Sequence, residues 1–137
     1  MDILLAQIQR VKFPNLWRLT MKKRIELMAD YGCYPLWWKN GDGNIDPATL
    51  PLSPETLKRL EEWTDIYDRL LNQDDPAASG FPDDRSRDAF DKRGIALWHQ
   101  LLAELPPEDY EVGYFSERLG EHLSHPSELE VKIAVAK

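Results

Sequence analysis

Residues 53–72, SPETLKRLEEWTDIYDRLLN, place Leu57, Leu60, Trp63 or Thr64, Tyr67, Leu70 and Leu71 at three- and four-residue intervals. That spacing gathers apolar side chains on one side of an α-helix, which must then find a surface to cover. Ser53 can cap the N-terminus and Pro54 suits the first helical position, while Glu55 and Glu62 belong to the polar side. The helix is predicted to end near Asn72. A second stripe, formed by Phe90, Leu97, Trp98, Leu101, Leu102 and Leu105, predicts a helix over 83–105, stopped by Pro106 and Pro107. Gly94 within it either permits close packing or merely costs helix stability. Between the two helices, Pro76, Gly80 and Pro82 break DDPAASGFP into a loop.

Three other segments alternate instead. KKRIELMAD sets Ile25, Leu27 and Ala29 against charged neighbours, with Met28 as the exception; DYEVGYF sets Tyr110, Val112 and Tyr114 against Glu111 and Gly113; and ELEVKIAVAK, residues 128–137, sets Leu129, Val131, Ile133 and Val135 against Glu130, Lys132 and Ala134. Each pattern predicts a strand with one buried face. A short amphipathic helix is predicted before Pro14. Two helices laid on a small sheet bury both stripes and one side of each strand, so the expected class is α+β, with an antiparallel or mixed sheet. Its 137 residues suit a single domain over 1–137, with room for residues 1–22 to be a peripheral extension.

Composition narrows the function classes. The formal charge of -7 disfavours non-specific binding to nucleic acid, whose phosphates reward many Lys and Arg contacts. Charge is also uneven: residues 1–24 hold six Lys or Arg and one Asp, whereas residues 61–91 hold ten Asp or Glu and three Arg. Such a split can steer a basic partner toward the acidic half, or simply solvate a surface. No run approaches the roughly 18 apolar residues of a membrane span, and the start of the chain lacks the features of a secretory signal. One cysteine cannot form an intramolecular disulfide, so a reducing, cytoplasmic setting is expected.

The most specialised stretch is DYGCYPLWWKNGDGNID, residues 30–46. Asn40, Asp42, Asn44 and Asp46 alternate oxygen donors in the manner of a calcium loop, but Ile45 stands where an EF-hand needs glycine and Pro51 where it needs a bidentate Glu. Asx and glycine turns account for the residues more simply. Cys33 has no predicted cationic neighbour or helix start to activate it as a nucleophile, and His99, His122 and His125 cannot be placed beside it from sequence. A small hydrolase or metal enzyme can be sketched from Asp42, Asp46, Asp74 and Asp75 with His or Cys, and His122 and His125 in HLSH have a spacing that a helix could bring to one metal, yet no HExxH pattern is present. No cofactor is implied.

Aromatic rings offer a stronger functional signal. Tyr31, Tyr34, Trp37 and Trp38 can supply interface anchors or core packing, and adjacent Trp37 and Trp38 face opposite sides of an extended chain. The combination favours an acidic protein-binding module, with Tyr34, Trp37, Trp38, Asp74, Asp75, Asp83 and Asp84 as the interaction candidates. The enzyme is the alternative.

DYGCYPLWW followed by GNIDPATLPLSPETLKRLEEWTDIYDRLLNQDDPAASGF resembles a family of small bacterial proteins. That resemblance implies no catalytic residue set, cofactor or substrate. In size and charge the chain is also similar in general character to immunity proteins that mask bacterial toxins, which implies one tight protein partner, such as a basic toxin, and little intrinsic turnover.

Overall fold

A computed structural model of the chain describes residues 22–39 and 43–129. Strand β1 (Lys23–Leu27) turns back through Gly32, at φ 70°, into β2 (Leu36–Trp38), which is followed by β3 (Gly43–Ile45). Helices α1 (Pro54–Asp68) and α2 (Asp84–Glu104) follow, then β4 (Tyr110–Ser116) and β5 (Glu121–Leu123). The sheet order is β3-β2-β1-β4-β5. β4 lies parallel to β1, with Ile25 opposite Val112 and Leu27 opposite Tyr114, and the remaining neighbours are antiparallel. The long connection through both helices makes that parallel pairing attainable. The expected α+β architecture with two principal helices is the one observed, and of the antiparallel and mixed alternatives the sheet is mixed.

Alternation sets which side of each strand meets the helices. Ile25, Leu27, Leu36, Ile45, Val112, Tyr114 and Leu123 form the sheet side of the core; Leu60, Trp63, Phe90, Leu97, Trp98 and Leu101 come from the helices. Ser53 caps α1 as expected, its hydroxyl accepting from Thr56 N, and Pro54 is the first helical residue. The helix stops at Asp68 rather than near Asn72, because Leu70 and Leu71 amides turn to the carbonyls of Tyr67 and Asp68 and the chain enters the connecting loop.

Gly94 lies where α2 crosses β4. A Cβ there would sit 2.3 Å from Tyr114 Oη and 2.8 Å from Trp63 Cζ2, so the missing side chain is what lets the helix approach. Trp63 stacks on Phe90 with ring centres 4.4 Å apart, and Trp98 stacks on Tyr114 at 5.4 Å. Both indoles also donate to buried carbonyls, Trp63 to Phe90 and Trp98 to Val112. Large rings are thereby fixed in place as well as buried.

Two polar clasps join the elements. Asp91 is 2 % exposed, and its carboxyl accepts from Tyr114 Oη (2.5 Å), Ser116 Oγ (3.0 Å) and Glu117 N (3.0 Å). Burial, and then the adjacent Asp91 charge, push the Tyr114 phenol up and likewise hold the Glu117 carboxyl above the ordinary glutamate range. At the other end, Glu104 accepts from Ser53 N at 2.6 Å and from the Thr56 hydroxyl. A carboxylate at the end of α2 thus serves the amino-terminal turn of α1, where the helix dipole favours negative charge.

Burial works against the Glu104 charge, but hydrogen bonds from Thr56 and Ser53 outweigh it and hold the carboxyl below its ordinary value of 4.5. A depressed folded-state value means that the stabilisation is complete above the unfolded value and is lost as pH falls through the folded one. Glu104→Gln is therefore expected to cost about 1 kcal/mol at pH 7 in chemical denaturation. The difference from the parent protein should shrink as pH drops below 4.5 and through the lower folded-state value.

Other expectations change. HLSH is not helical: His122 lies on β5 and His125 in the following turn, so a helical metal pair is not formed. Glu128 and Leu129 belong to a helical turn rather than the start of a strand, while the remainder of that predicted strand lies outside the described residues, as does the helix predicted before Pro14.

Candidate functional site

The β1–β2 loop is held by its own polar groups. Tyr31 N bonds the Asp30 side chain, Met28 N bonds Pro35 O, and Gly32 N bonds Asp68 Oδ1 at 3.0 Å, which ties the loop to the end of α1. Asn44 then clamps Tyr34 from β3: its Oδ1 accepts from Tyr34 N at 2.9 Å and its Nδ2 donates to Tyr34 O at 2.8 Å. The Tyr34 ring itself is 50 % exposed, the one large hydrophobic side chain so exposed among the described residues. A fixed backbone therefore presents a solvent-facing ring.

Trp37 and Trp38 take opposite faces of β2, as adjacent residues in a strand must. Trp38 pairs with Ile25 and packs against the core, half-buried. Trp37 pairs with Glu26 on the other face, also half-buried, and its indole donates to Met28 O at 2.9 Å. No hydrogen bond or ring contact among the described residues joins Tyr34 to either tryptophan.

The acidic candidates lie along the α1–α2 connection. Asp74 and Asp75 are exposed, and their backbone amides bond Asn72 Oδ1. Asp83 caps α2 by accepting from Ser86 N at 2.7 Å, and hydrogen bonding from the Ser86 side chain, then from its backbone, lowers the Asp83 pKa. Asp84 lies 3.4 Å from Arg87. An aromatic run links this connection to the β1–β2 loop: Tyr31 contacts Tyr67 at 4.6 Å between ring centres, and Tyr67 contacts Phe81 at 6.2 Å. Burial, and after it the charges of Glu117 and Asp30, push the Tyr67 phenol well up. Ring contacts through Tyr31, Tyr67 and Phe81 thus connect the two sequence segments, while among the described residues no hydrogen bond joins the four aspartates to Tyr34.

Between the β1–β2 loop and α1 lies a cleft of about 380 Å³. Cys33, Tyr34 and Pro35 line one side, Asp46, Pro47 and Ala48 another, and Leu57, Leu60, Glu61 and Thr64 of α1 the floor and far wall. Asp46 caps the 3₁₀ turn Pro47–Thr49 through one oxygen, accepting from Ala48 N. Leu57 has a sequence signal in the helical stripe, but Glu61 has none beyond its place one turn later.

The chemistry sketched for an enzyme is dispersed. Cys33 Sγ contacts Tyr31 O at 3.5 Å and has no histidine partner; His122 Nδ1 pairs with Glu26 Oε1 at 2.5 Å, and His125 with Ser127. Asn40 and Asp42 of the calcium pattern lie outside the described residues, whereas Asn44 spends its amide on the backbone of Tyr34 and Leu36. Among the described residues, no group of three or more His, Cys, Asp or Glu side chains is placed to hold a metal ion. Nor is any described helix long and apolar enough to cross a membrane.

Comparison with curated proteins yields no match. Comparison with family models does: residues 23–117, from the first residue of β1 to just beyond β4, match one whose description is Serratia CdiI immunity protein-like. That span includes the aromatic loop, both helices, both polar clasps and the parallel strand pair. The chain belongs to the Serratia CdiI immunity protein-like family.

Proposed function

We propose that this chain is a cytoplasmic immunity protein that neutralises a toxic protein by binding it, without a cofactor and without turnover. Membership of an immunity-protein family across residues 23–117 is the observation that carries this reading. An exposed aromatic ring and an exposed acidic connection support it physically. Tyr34 supplies an exposed ring on a clamped backbone, Trp37 and Trp38 follow it along the chain, and Asp74, Asp75, Asp83 and Asp84 add negative charge on the α1–α2 connection. Such an arrangement favours a basic partner, drawn in by charge and retained by aromatic burial. The net charge of -7 disfavours nucleic acid as the partner. Residues 1–137 are taken as one domain with 1–22 peripheral, in keeping with a family match that begins at Lys23.

The test is protection. A toxin-like chain encoded beside this protein should arrest growth when produced alone in the cytoplasm, and co-production of this protein should restore growth. Continued arrest in the presence of abundant folded protein, with every adjacent toxin-like chain tried, would contradict the proposal.

A further inference from the structure

The cleft between the β1–β2 loop and α1 has a composition that selects its occupant. We infer that it receives one arginine or lysine side chain projecting from the partner protein, an inference that rests on the immunity reading for the partner's identity but not for the chemistry of the cleft. Half-buried Leu57 offers apolar surface, Tyr34 offers the face or edge of an exposed ring, and Asp46 and Glu61 offer carboxylates. Among the described residues, no lysine or arginine lines the cleft.

Basic side chains match that set part by part. Their methylene stems cover apolar surface while the charged head reaches polar groups. An aromatic ring beside a cation adds attraction, more so with guanidinium, which also stacks. A neutral or acidic side chain would cover the two carboxylates without compensating them, which is unfavourable.

The neighbouring cations do not satisfy the cleft from within. Arg59 pairs with Glu55 at 2.8 Å, and Lys58 approaches Glu62 at 4.0 Å, both directed to other carboxylates of α1. Glu61, by contrast, makes no side-chain ion pair or hydrogen bond among the described residues. Asp46 commits one oxygen to Ala48 N and leaves the other. The walls are also preorganised, since Asn44 clamps the Tyr34 backbone and Asp68 holds Gly32 N. The backbone that carries Tyr34 therefore needs little ordering on binding.

Two arms test this inference. In the first, the full chain labelled with ¹⁵N is titrated with N-acetyl-arginine methylamide and, separately, with its neutral analogue N-acetyl-citrulline methylamide. The arginine compound should shift the amides of Cys33, Tyr34, Ala48 and Glu61 saturably, and a folded Asp46→Asn/Glu61→Gln variant should lose the response. Equal shifts from both compounds, or arginine shifts centred on Asp74 and Asp75, would overturn the cleft assignment.

The second arm uses the toxin chain that passes the protection test, with Tyr34→Ala and Glu61→Lys introduced separately and folding checked by the dispersion of amide signals. Each should weaken the complex by about tenfold or more, as expected for an anchor at the centre of a contact. Unchanged affinity in both folded variants would overturn the cleft assignment while leaving the immunity reading intact. If no toxin chain binds the parent protein but the selective arginine shifts persist, the immunity reading fails and the chemistry of the cleft stands.

Discussion

Replacing Asp91 by alanine is expected to lower the unfolding free energy by about 3–5 kcal/mol, the range for leaving several buried polar groups without partners. Three donors converge on this carboxyl, from Tyr114 Oη, Ser116 Oγ and Glu117 N. Alanine removes all three acceptor contacts and opens space beneath α2. The tyrosine keeps one weaker acceptor, Asp91 O at 3.2 Å, and Ser116 Oγ still accepts from Leu119 N. Asp91→Asn, which retains one oxygen and the side-chain volume, should cost less than alanine. Urea unfolding followed by tryptophan fluorescence measures both, since Trp63 and Trp98 are buried in the core that the clasp secures. A loss below about 1 kcal/mol for Asp91→Ala would contradict the role assigned to the clasp.

Gly94→Ala should cost about 3 kcal/mol, even though alanine is the better helix former by about 1 kcal/mol. The new methyl would meet Tyr114 Oη at 2.3 Å, Trp63 Cζ2 at 2.8 Å and Tyr114 Cε1 at 2.9 Å. Neither ring can withdraw without loss: Tyr114 is bonded to Asp91, while Trp63 is bonded to Phe90 O and stacked on its ring. Overpacking therefore outweighs helix propensity. Adding Tyr114→Phe removes the closest atom, so the double variant should lose less than the sum of the singles, with a coupling of about 1 kcal/mol measurable by a double-mutant cycle.

These two residues also mark where sequence reasoning reaches its limit. The helices are legible because Leu60, Trp63, Phe90, Leu97, Trp98 and Leu101 repeat with helical spacing and are all buried. Asp91 looks like one more acid in an acidic region. Its phase, three residues before Gly94 and seven before Trp98, is a signal that it faces inward, but the polar partners that make burial tolerable come from β4. Gly94 likewise has two local meanings, and only the approach of Tyr114 and Trp63 decides between them.

Strands follow the same division. β1 and β4 are long enough for alternation to show, whereas β2, β3 and β5 have three residues each and offer almost none. Their existence depends on neighbours that supply the hydrogen bonds. The parallel pairing of β1 with β4, and the Glu26–His122 contact across 96 positions, follow from a strand order that local spacing does not encode. For the candidate site, the sequence points to Tyr34 and to the acidic connection. It does not show that Asn44 clamps Tyr34, that Trp38 packs toward the core, or that Glu61 faces the loop across a cleft.

The central claim is that this protein acts by forming a stoichiometric complex with a toxic protein partner. Its most direct measurement is calorimetric titration of the purified full chain with the toxin-like protein encoded beside it, followed by an assay of the toxin's activity in the titrated mixtures. Saturable binding at one molecule to one, with toxin activity falling in parallel to zero at equivalence and no chemical change in the toxin, is the predicted result. Absence of binding, or inactivation that proceeds catalytically at far less than one equivalent, would contradict it.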